Sequence, residues 1–195
     1  MAGDRKKIFN DVRGYSMNNI SLSNYFFSKS LIDHFINLGV RYACVSPGSR
    51  NTPLMLALSD QNKIESISVV DERDSGFIAL GLAKSRYVPT LVITTSGTAT
   101  ANLYPSIIEA FMTRTPLIIL TADRPNHFIG TGENQTIDQN KIFGNYVQYF
   151  SDTGDCKLLS EEKIKEIAID SYKSAMGLTD KNKISFSKGP VHLNI

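Results

Sequence analysis

A parallel, doubly wound α/β sheet of about six strands, with helices on both faces, is the fold class this sequence predicts. Three observations carry that reading. Short apolar runs rich in β-branched residues alternate about six times with segments of helical spacing. Such alternation is the signature of strands joined by crossover helices, which bury both faces of the sheet. The chain has 195 residues, 42% hydrophobic and 21% charged, enough for one compact domain and too few for two large ones.

The elements follow in order. Phe27, Leu31, Phe35 and Leu38 recur at helical spacing from Ser21 until Gly39 ends the run. "RYACVS" (41–46) is a first strand, and "NTPLMLALS" opens the next helix with Thr52 as its expected cap and Pro53 at its first position. "IESISVV" (64–70) is the second strand and Glu72 to Arg86 the helix after it. "TLVITTS" (90–96) is the third strand, followed by a broken helix that restarts at Pro105 and runs to Arg114. "PLIILTA" (116–122) is the fourth strand and "VQYF" (147–150) the expected fifth. Residues 161–177 form an amphipathic helix with Ile164, Ile167, Ala168, Ser171, Tyr172 and Ala175 on one side and Glu161 and Glu162 in its first turn. "TDKNKISFSKG" (179–189) is a polar loop, and "PVHLNI" closes the sheet as the sixth strand.

Composition excludes several classes of function. No run approaches the roughly 20 apolar residues of a membrane span, and the first residues lack the apolar core of a signal peptide. Cys44 and Cys156 form neither a metal-spacing pair nor a disulfide framework, which fits a reduced, cytoplasmic setting. The net charge of +2 belongs to the first 16 residues, which hold Arg5, Lys6, Lys7 and Arg13 against Asp4 and Asp11. The remainder is neutral, with 17 basic and 17 acidic residues, and gives no case for nucleic-acid binding. Residues 1–18 read as a flexible leader or an expression remnant, and 19–195 as a single domain.

In an open parallel sheet, ligands bind beyond the carboxyl ends of the strands, so the loops after strands are the informative ones. In "SPGSRNT" (46–52) a Pro-Gly turn delivers a helix N-terminus that attracts anions, and Arg50 can clamp a carboxylate; the plainer reading is a capped turn with a solvated arginine. In "DERDSG" (71–76), Asp71 caps the helix while Glu72 and Asp74 complement its dipole. Glu72 differs from its neighbours because it follows Val69-Val70 and precedes Gly76, Ala79 and Ala83. A carboxylate between such surfaces is expected to be desolvated and suited to proton exchange with a ligand. "TSGTATAN" (95–102) is a small-residue turn without the lysine and pattern of a phosphate loop, and no G-x-G-x-x-G follows the first strand. It reads as a flat wall for close approach. "TADRPNHFIGTGENQ" (121–135) places Arg124 just past the fourth strand and Asn134-Gln135 near the start of an expected short helical segment. Pro125 can simply stop the strand, and Arg124 can simply pair with nearby acids. His34, His127 and His192 have no partner at ligand spacing and read as surface or packing residues.

Taken together, "SPGSR", "DER…GFIALGLAK", "TSGTATANLYPSIIEA" and "LTADRP…GENQTIDQ" resemble the amino-terminal domain of the menaquinone-pathway SEPHCHC synthases, which are thiamine diphosphate enzymes. The resemblance runs from about Leu31 to Phe150 and returns at "GPVHLNI". It implies that Glu72 meets the pyrimidine N1′ of the cofactor, where an acid shuttles the proton that brings the aminopyrimidine to its reactive imino form. By the same resemblance Thr95, Ser96 and Gly97 approach the pyrimidine ring and Gln135 lies near the cofactor's reactive face. Ser49, Arg50, Arg124, Asn134 and Gln135 would line the substrate pocket. The implied reaction is decarboxylation of 2-oxoglutarate followed by 1,4-addition of the resulting carbanion to isochorismate, a transferase reaction. Both substrates carry several carboxylates, which suits arginine.

The resemblance also implies Mg²⁺ and the diphosphate on a second domain bearing G-D-G. No "GDG" occurs here, "TGD" (153–155) being the nearest string. No metal ligand is therefore assigned to this chain. It is expected to be an excised first domain of a three-domain homo-oligomeric enzyme, inactive alone, with Glu72 facing the pocket shared by the other three loops. Competing readings are a freestanding nucleotide- or phosphate-binding module using "TSGTAT", and a non-catalytic interaction domain. A further one is another thiamine diphosphate enzyme, against which "SPGSR" with "ENQTIDQ" argues.

Overall fold

The computed structural model describes residues 19–178 and 187–195; the leader and most of the 179–189 loop lie outside them. The elements are α1 (Asn19–Leu38), β1 (Tyr42–Val45), α2 (Thr52–Ser59), β2 (Glu65–Ser68), α3 (Glu72–Arg86), β3 (Thr90–Thr94), α4 (Thr98–Asn102), α5 (Tyr104–Met112), β4 (Leu117–Thr121), β5 (Tyr149–Asp152), α6 (Glu161–Ala175) and β6 (Pro190–Asn194). All strands pair in parallel in one sheet of order β2-β1-β3-β4-β6-β5. The predicted doubly wound sheet is therefore the observed one. Among the described residues no helix is long and apolar enough to cross a membrane.

Position in the sheet follows polarity. Every residue of β3 (TLVIT) and β4 (LIILT) is buried, as expected for strands covered on both faces. The edge strand β2 (ESIS) is largely exposed, and the other edge, β5 (YFSD), is only partly covered. Polar, short edges limit pairing with other chains. Along the central strands the side chains alternate between two layers. Ala43, Val45, Leu91, Ile93, Ile118 and Leu120 pack under α1, α2 and α6. Cys44, Val92, Leu117 and Ile119 pack under α3 and α5 with Phe143. Cutting a fully buried side chain such as Ile119 back to alanine costs roughly 2–5 kcal/mol.

The β5 boundary differs from the sequence expectation. β5 begins at Tyr149 rather than Val147, because Val147 turns into the Phe143 layer and Gln148 N–H bonds Pro190 O before the strand starts. β6 inserts between β4 and β5, so the chain end becomes an interior strand. The connection from β1 leads to β2 on one side while β3 lands on the other, which opens a crevice at their carboxyl ends.

Candidate active site

The β1 loop is closed by Asn51, which is fully buried. Its Nδ2 donates to Ser46 O (2.8 Å) and its Oδ1 accepts from Gly48 N–H (3.0 Å). The expected cap at Thr52 is not formed. Asn51 holds the N-cap position, and its side chain is spent on the loop instead of the helix, while Thr52 Oγ1 donates to Ser49 O (2.9 Å). This folding presses Gly48 onto the β3 turn: a Cβ there would lie 2.4 Å from Thr95 Cβ. Ser49 and Arg50 stand exposed at the rim of a cavity of about 880 Å³.

In the β2 loop, Asp71 caps α3 as predicted, accepting from Arg73 N–H (2.9 Å). The Arg73 side chain and its backbone N–H hold the Asp71 carboxyl down at about 2. Glu72 begins α3, is half-buried, and has one long contact, with Asn102 Nδ2 at 3.5 Å. The expected desolvation is not supplied by this chain, because Val70 is 86% exposed instead of packing over the carboxylate. Nor does Glu72 border the cavity that Ser49, Arg50 and Arg124 line. Thr95, Ser96, Gly97 and Gln135 do not border that cavity either; Glu72 sits on the neighbouring, open side, against α4.

The β3 turn joins these two sides. Thr95, Ser96 and Gly97 are all buried. Gly97 has φ 81 and ψ −142, a conformation open to glycine, and a Cβ there would come within 3.1 Å of Gln135. Ser96 Oγ donates to Gln135 O (2.9 Å), and Gly97 N–H donates to Oε1 of the fully buried Gln139 (2.8 Å). The Thr95 hydroxyl is buried without a partner. Gln135 itself is exposed and has φ 56, so the expected helical segment cannot start there; residues 134–135 form a turn. Asn134 is exposed beside it, its carbonyl accepting from Thr136 Oγ1 (3.2 Å).

Past β4, Arg124 lies along the cavity wall with its side chain only 13% exposed. Nη2 reaches Glu133 Oε1 at 3.2 Å, the guanidinium stacks 5.1 Å over Phe128, and Nε is buried without a partner. Asp123 also lines the cavity. Burial pushes its carboxyl up, against hydrogen bonds from Asn194 Nδ2 (2.7 Å) and Arg124 N–H (2.6 Å) that favour the ion. Behind it runs a buried amide chain. Gln139 Nε2 donates to Asn194 Oδ1 (2.8 Å) and Ala122 O (3.3 Å), and Thr121 Oγ1 donates to Asn194 Oδ1 (2.9 Å) while bonded to His192 Nε2 (2.7 Å). His192 is fully buried, which drops its imidazolium to about 3 and keeps it neutral.

Sequence reasoning missed Gln139, Asn194 and Asp123. A polar residue at the end of a buried strand, as in "VHLNI", is the one signal that marked Asn194. His34 pairs with Glu161 at 3.0 Å on the surface, and His127 is exposed, as read from the sequence.

All nine expected site residues fall within 27–142, the stretch that matches the family described as "Thiamine pyrophosphate enzyme, N-terminal TPP binding domain". Curated relatives agree with that match. The chain is 40% identical over 172 residues to a 2-succinyl-5-enolpyruvyl-6-hydroxy-3-cyclohexene-1-carboxylate synthase of Halobacterium salinarum (strain ATCC 29341 / DSM 671 / R1), covering 88% of this chain and 28% of the relative. It is 48% identical over 130 residues to the synthase of that name from Shewanella sp. (strain ANA-3), covering 67% of this chain and 23% of the relative. The chain thus spans less than a third of the length of these relatives. The fold, the loops at its carboxyl edge and the matched residues together make this chain a member of the thiamine pyrophosphate enzyme family, in its N-terminal TPP-binding domain.

Proposed function

We propose that this chain is the pyrimidine-binding domain of a 2-succinyl-5-enolpyruvyl-6-hydroxy-3-cyclohexene-1-carboxylate synthase, which decarboxylates 2-oxoglutarate and adds the resulting four-carbon unit to isochorismate. The observation that carries this reading is the 48% identity to the Shewanella synthase, alongside a family match that contains every expected site residue.

Three features support a fit to the aminopyrimidine half of thiamine diphosphate. The buried Thr95 hydroxyl lacks a partner, which costs about 1–3 kcal/mol unless a ligand supplies one. Gly97 offers a turn without a Cβ. Among the described residues the Glu72 carboxylate has one hydrogen-bond partner, at 3.5 Å. When bound, the cofactor supplies the electron sink for decarboxylation. Glu72 would hold and move a proton at the ring nitrogen N1′, and Thr95, Ser96, Gly97 and Gln135 would orient the ring. Arg124, with an unpartnered Nε on the cavity wall, would fix a substrate carboxylate, with Arg50 and Ser49 at the rim and Asn134 beside Gln135.

We place Mg²⁺ and the diphosphate on a second domain contributed by another subunit, over the open side where Glu72 is accompanied by exposed Val70, Phe77 and Ile78. The absence of "GDG" from these 195 residues supports that division. A phosphate-binding module built on "TSGTAT" has less support, because the Gly97 N–H it would use is already donated to Gln139.

The test is turnover by the complete polypeptide carrying this domain, with Mg²⁺, thiamine diphosphate, 2-oxoglutarate and isochorismate. Product formation is the expected result, and no consumption of 2-oxoglutarate would overturn the reading. Residues 19–195 alone should bind the cofactor weakly or not at all; micromolar affinity by calorimetry would contradict the proposed division between domains.

A further inference from the structure

We propose that Gln139 is the positioning residue of this site, setting the spacing between the Ser96–Gly97–Gln135 wall and the Asp123–Arg124 wall. The role rests on the function proposed above. Gln139 is fully buried and ties together the ends of three strands: Gly97 after β3, Ala122 after β4, and Asn194 in β6.

Each bond in this chain has a forced direction. A backbone N–H can only donate, so the Gly97 N–H requires Oε1 of Gln139 to face it. Nε2 then faces two acceptors, Ala122 O and Asn194 Oδ1. The Asn194 amide is oriented by the Asp123 carboxylate, to which its Nδ2 donates. Thr121 donates its one hydroxyl hydrogen to Asn194 Oδ1 and so accepts from His192 Nε2, which sets the histidine tautomer. Position 139 therefore needs one acceptor and two donors at glutamine length. No ionised or apolar side chain meets that demand.

The consequence reaches Gln135. Its backbone lies on Gly97 and accepts from Ser96 Oγ, and its φ of 56 is a strained value for a residue with a side chain. Gln139, four residues on, anchors the other end of that segment to the same turn. Loosening it frees Gln135 from its strained conformation and Gly97 from its partner. The continuation through Asn194 to Asp123 links the same anchor to the residue beside Arg124.

The test substitutes Gln139→Glu, with Gln139→Met as the volume-conserving second variant. In this chain, hydrogen exchange at the Gly97 amide is followed by NMR against a core reference, the Phe35 amide. In Gln139→Glu at pH 8 a carboxylate oxygen would face Ala122 O and Asn194 Oδ1 where Nε2 donated. That repulsion should pull the side chain off the Gly97 N–H, so Gly97 exchange should rise about tenfold or more relative to Phe35. It should recover in part as the pH falls, because the introduced carboxyl, once protonated, donates to one of those two acceptors while its other oxygen accepts from Gly97. Gln139→Met should show the rise without the recovery. In the complete synthase, Gln139→Glu should lower kcat about tenfold, and its kcat relative to the unsubstituted enzyme should climb as the pH falls.

Gly97 exchange that changes only in step with Phe35, unchanged kcat in both variants, or failure of both to fold would each overturn the proposal. Failure of the unsubstituted synthase to turn over would instead refute the functional reading, leaving the exchange result to stand on its own.

Discussion

The two sides of the carboxyl edge are built differently. The side formed by the β1 and β4 loops encloses space within this chain: Ser49, Arg50, Asp123 and Arg124 line a cavity of about 880 Å³. The side formed by the β2 and β3 loops stays open, with Glu72 half-buried at the start of α3 and Val70 86% exposed next to it. The closed side is held by internal partners, Glu133 for Arg124 and Asn194 for Asp123. Among the described residues, Glu72 has one hydrogen-bond partner, Asn102, at 3.5 Å. A residue kept by many internal bonds contributes to stability whether or not ligand is present. One kept by almost none is free to serve a surface that arrives from elsewhere.

Substitutions can break this contrast. Glu72→Gln should leave the unfolding free energy of the chain within about 0.5 kcal/mol. It should lower kcat of the complete synthase by roughly 10²–10⁴. A clear loss of chain stability by denaturant titration would make Glu72 a structural residue and erase the difference between the sides. Gly97→Ala should cost about 3 kcal/mol, from a strained φ together with contacts of 2.9–3.1 Å to Gln135. Gly130→Ala is its control: the φ is also positive, but the space is open, so about 1 kcal/mol is expected. Equal costs for the two would show that the Gln135 contact does not tighten the turn.

The buried network on the closed side should make stability acid-sensitive. His192 titrates near 3 when folded and near 6.5 as a free side chain, so the unfolded chain takes up the proton first. Its contribution is present above 6.5 and fades as the pH falls towards 3, by about 2 kcal/mol between pH 7 and pH 5. Asp123, shifted the other way, regains stability as it protonates on acidification and so opposes this trend. Urea titrations at the two pH values should show the loss in the natural chain and a flatter response in His192→Phe. The smallest effect sharpens the picture of Arg124. Arg124→Ala should weaken binding of 2-oxoglutarate to the complete polypeptide of the proposed synthase about tenfold. Glu133→Gln, by removing an exposed internal competitor, should tighten it by a few-fold at most. Weaker binding in Glu133→Gln, read by equilibrium dialysis, would mean that Glu133 supports the arginine rather than competing for it.

Much of the fold was legible because it follows local rules. Asp71 caps its helix, accepting from Arg73 N–H, as short polar residues before helical runs do. Pro105 restarts the helix after the β3 turn, and the β-branched runs at 90 and 117 became the buried strands. Arg50, Glu72 and Arg124, too, stood out as charged residues just past strand ends. Less legible were features that depend on long-range partners. Thr52 looked like the cap because it precedes Pro53, but Asn51 occupies that position with its side chain turned inward onto Ser46 and Gly48. Gln135 was expected to begin a helix, yet its bond with Ser96 and its contact with Gly97, 38 residues earlier, hold it at positive φ.

By itself the sequence determined the alternation of elements, the Asp71 cap and the residue types gathered after each strand, since these depend on neighbours within a few positions. Tertiary structure alone decided that β6 lies between β4 and β5, and thereby that Asn194 can bridge Gln139 to Asp123. It also decided that Glu72 stays on the open side while Arg124 joins the enclosed one. The physical reason is that strand order and buried amide orientation are settled by which donors and acceptors meet across dozens of residues. No local pattern encodes such a meeting.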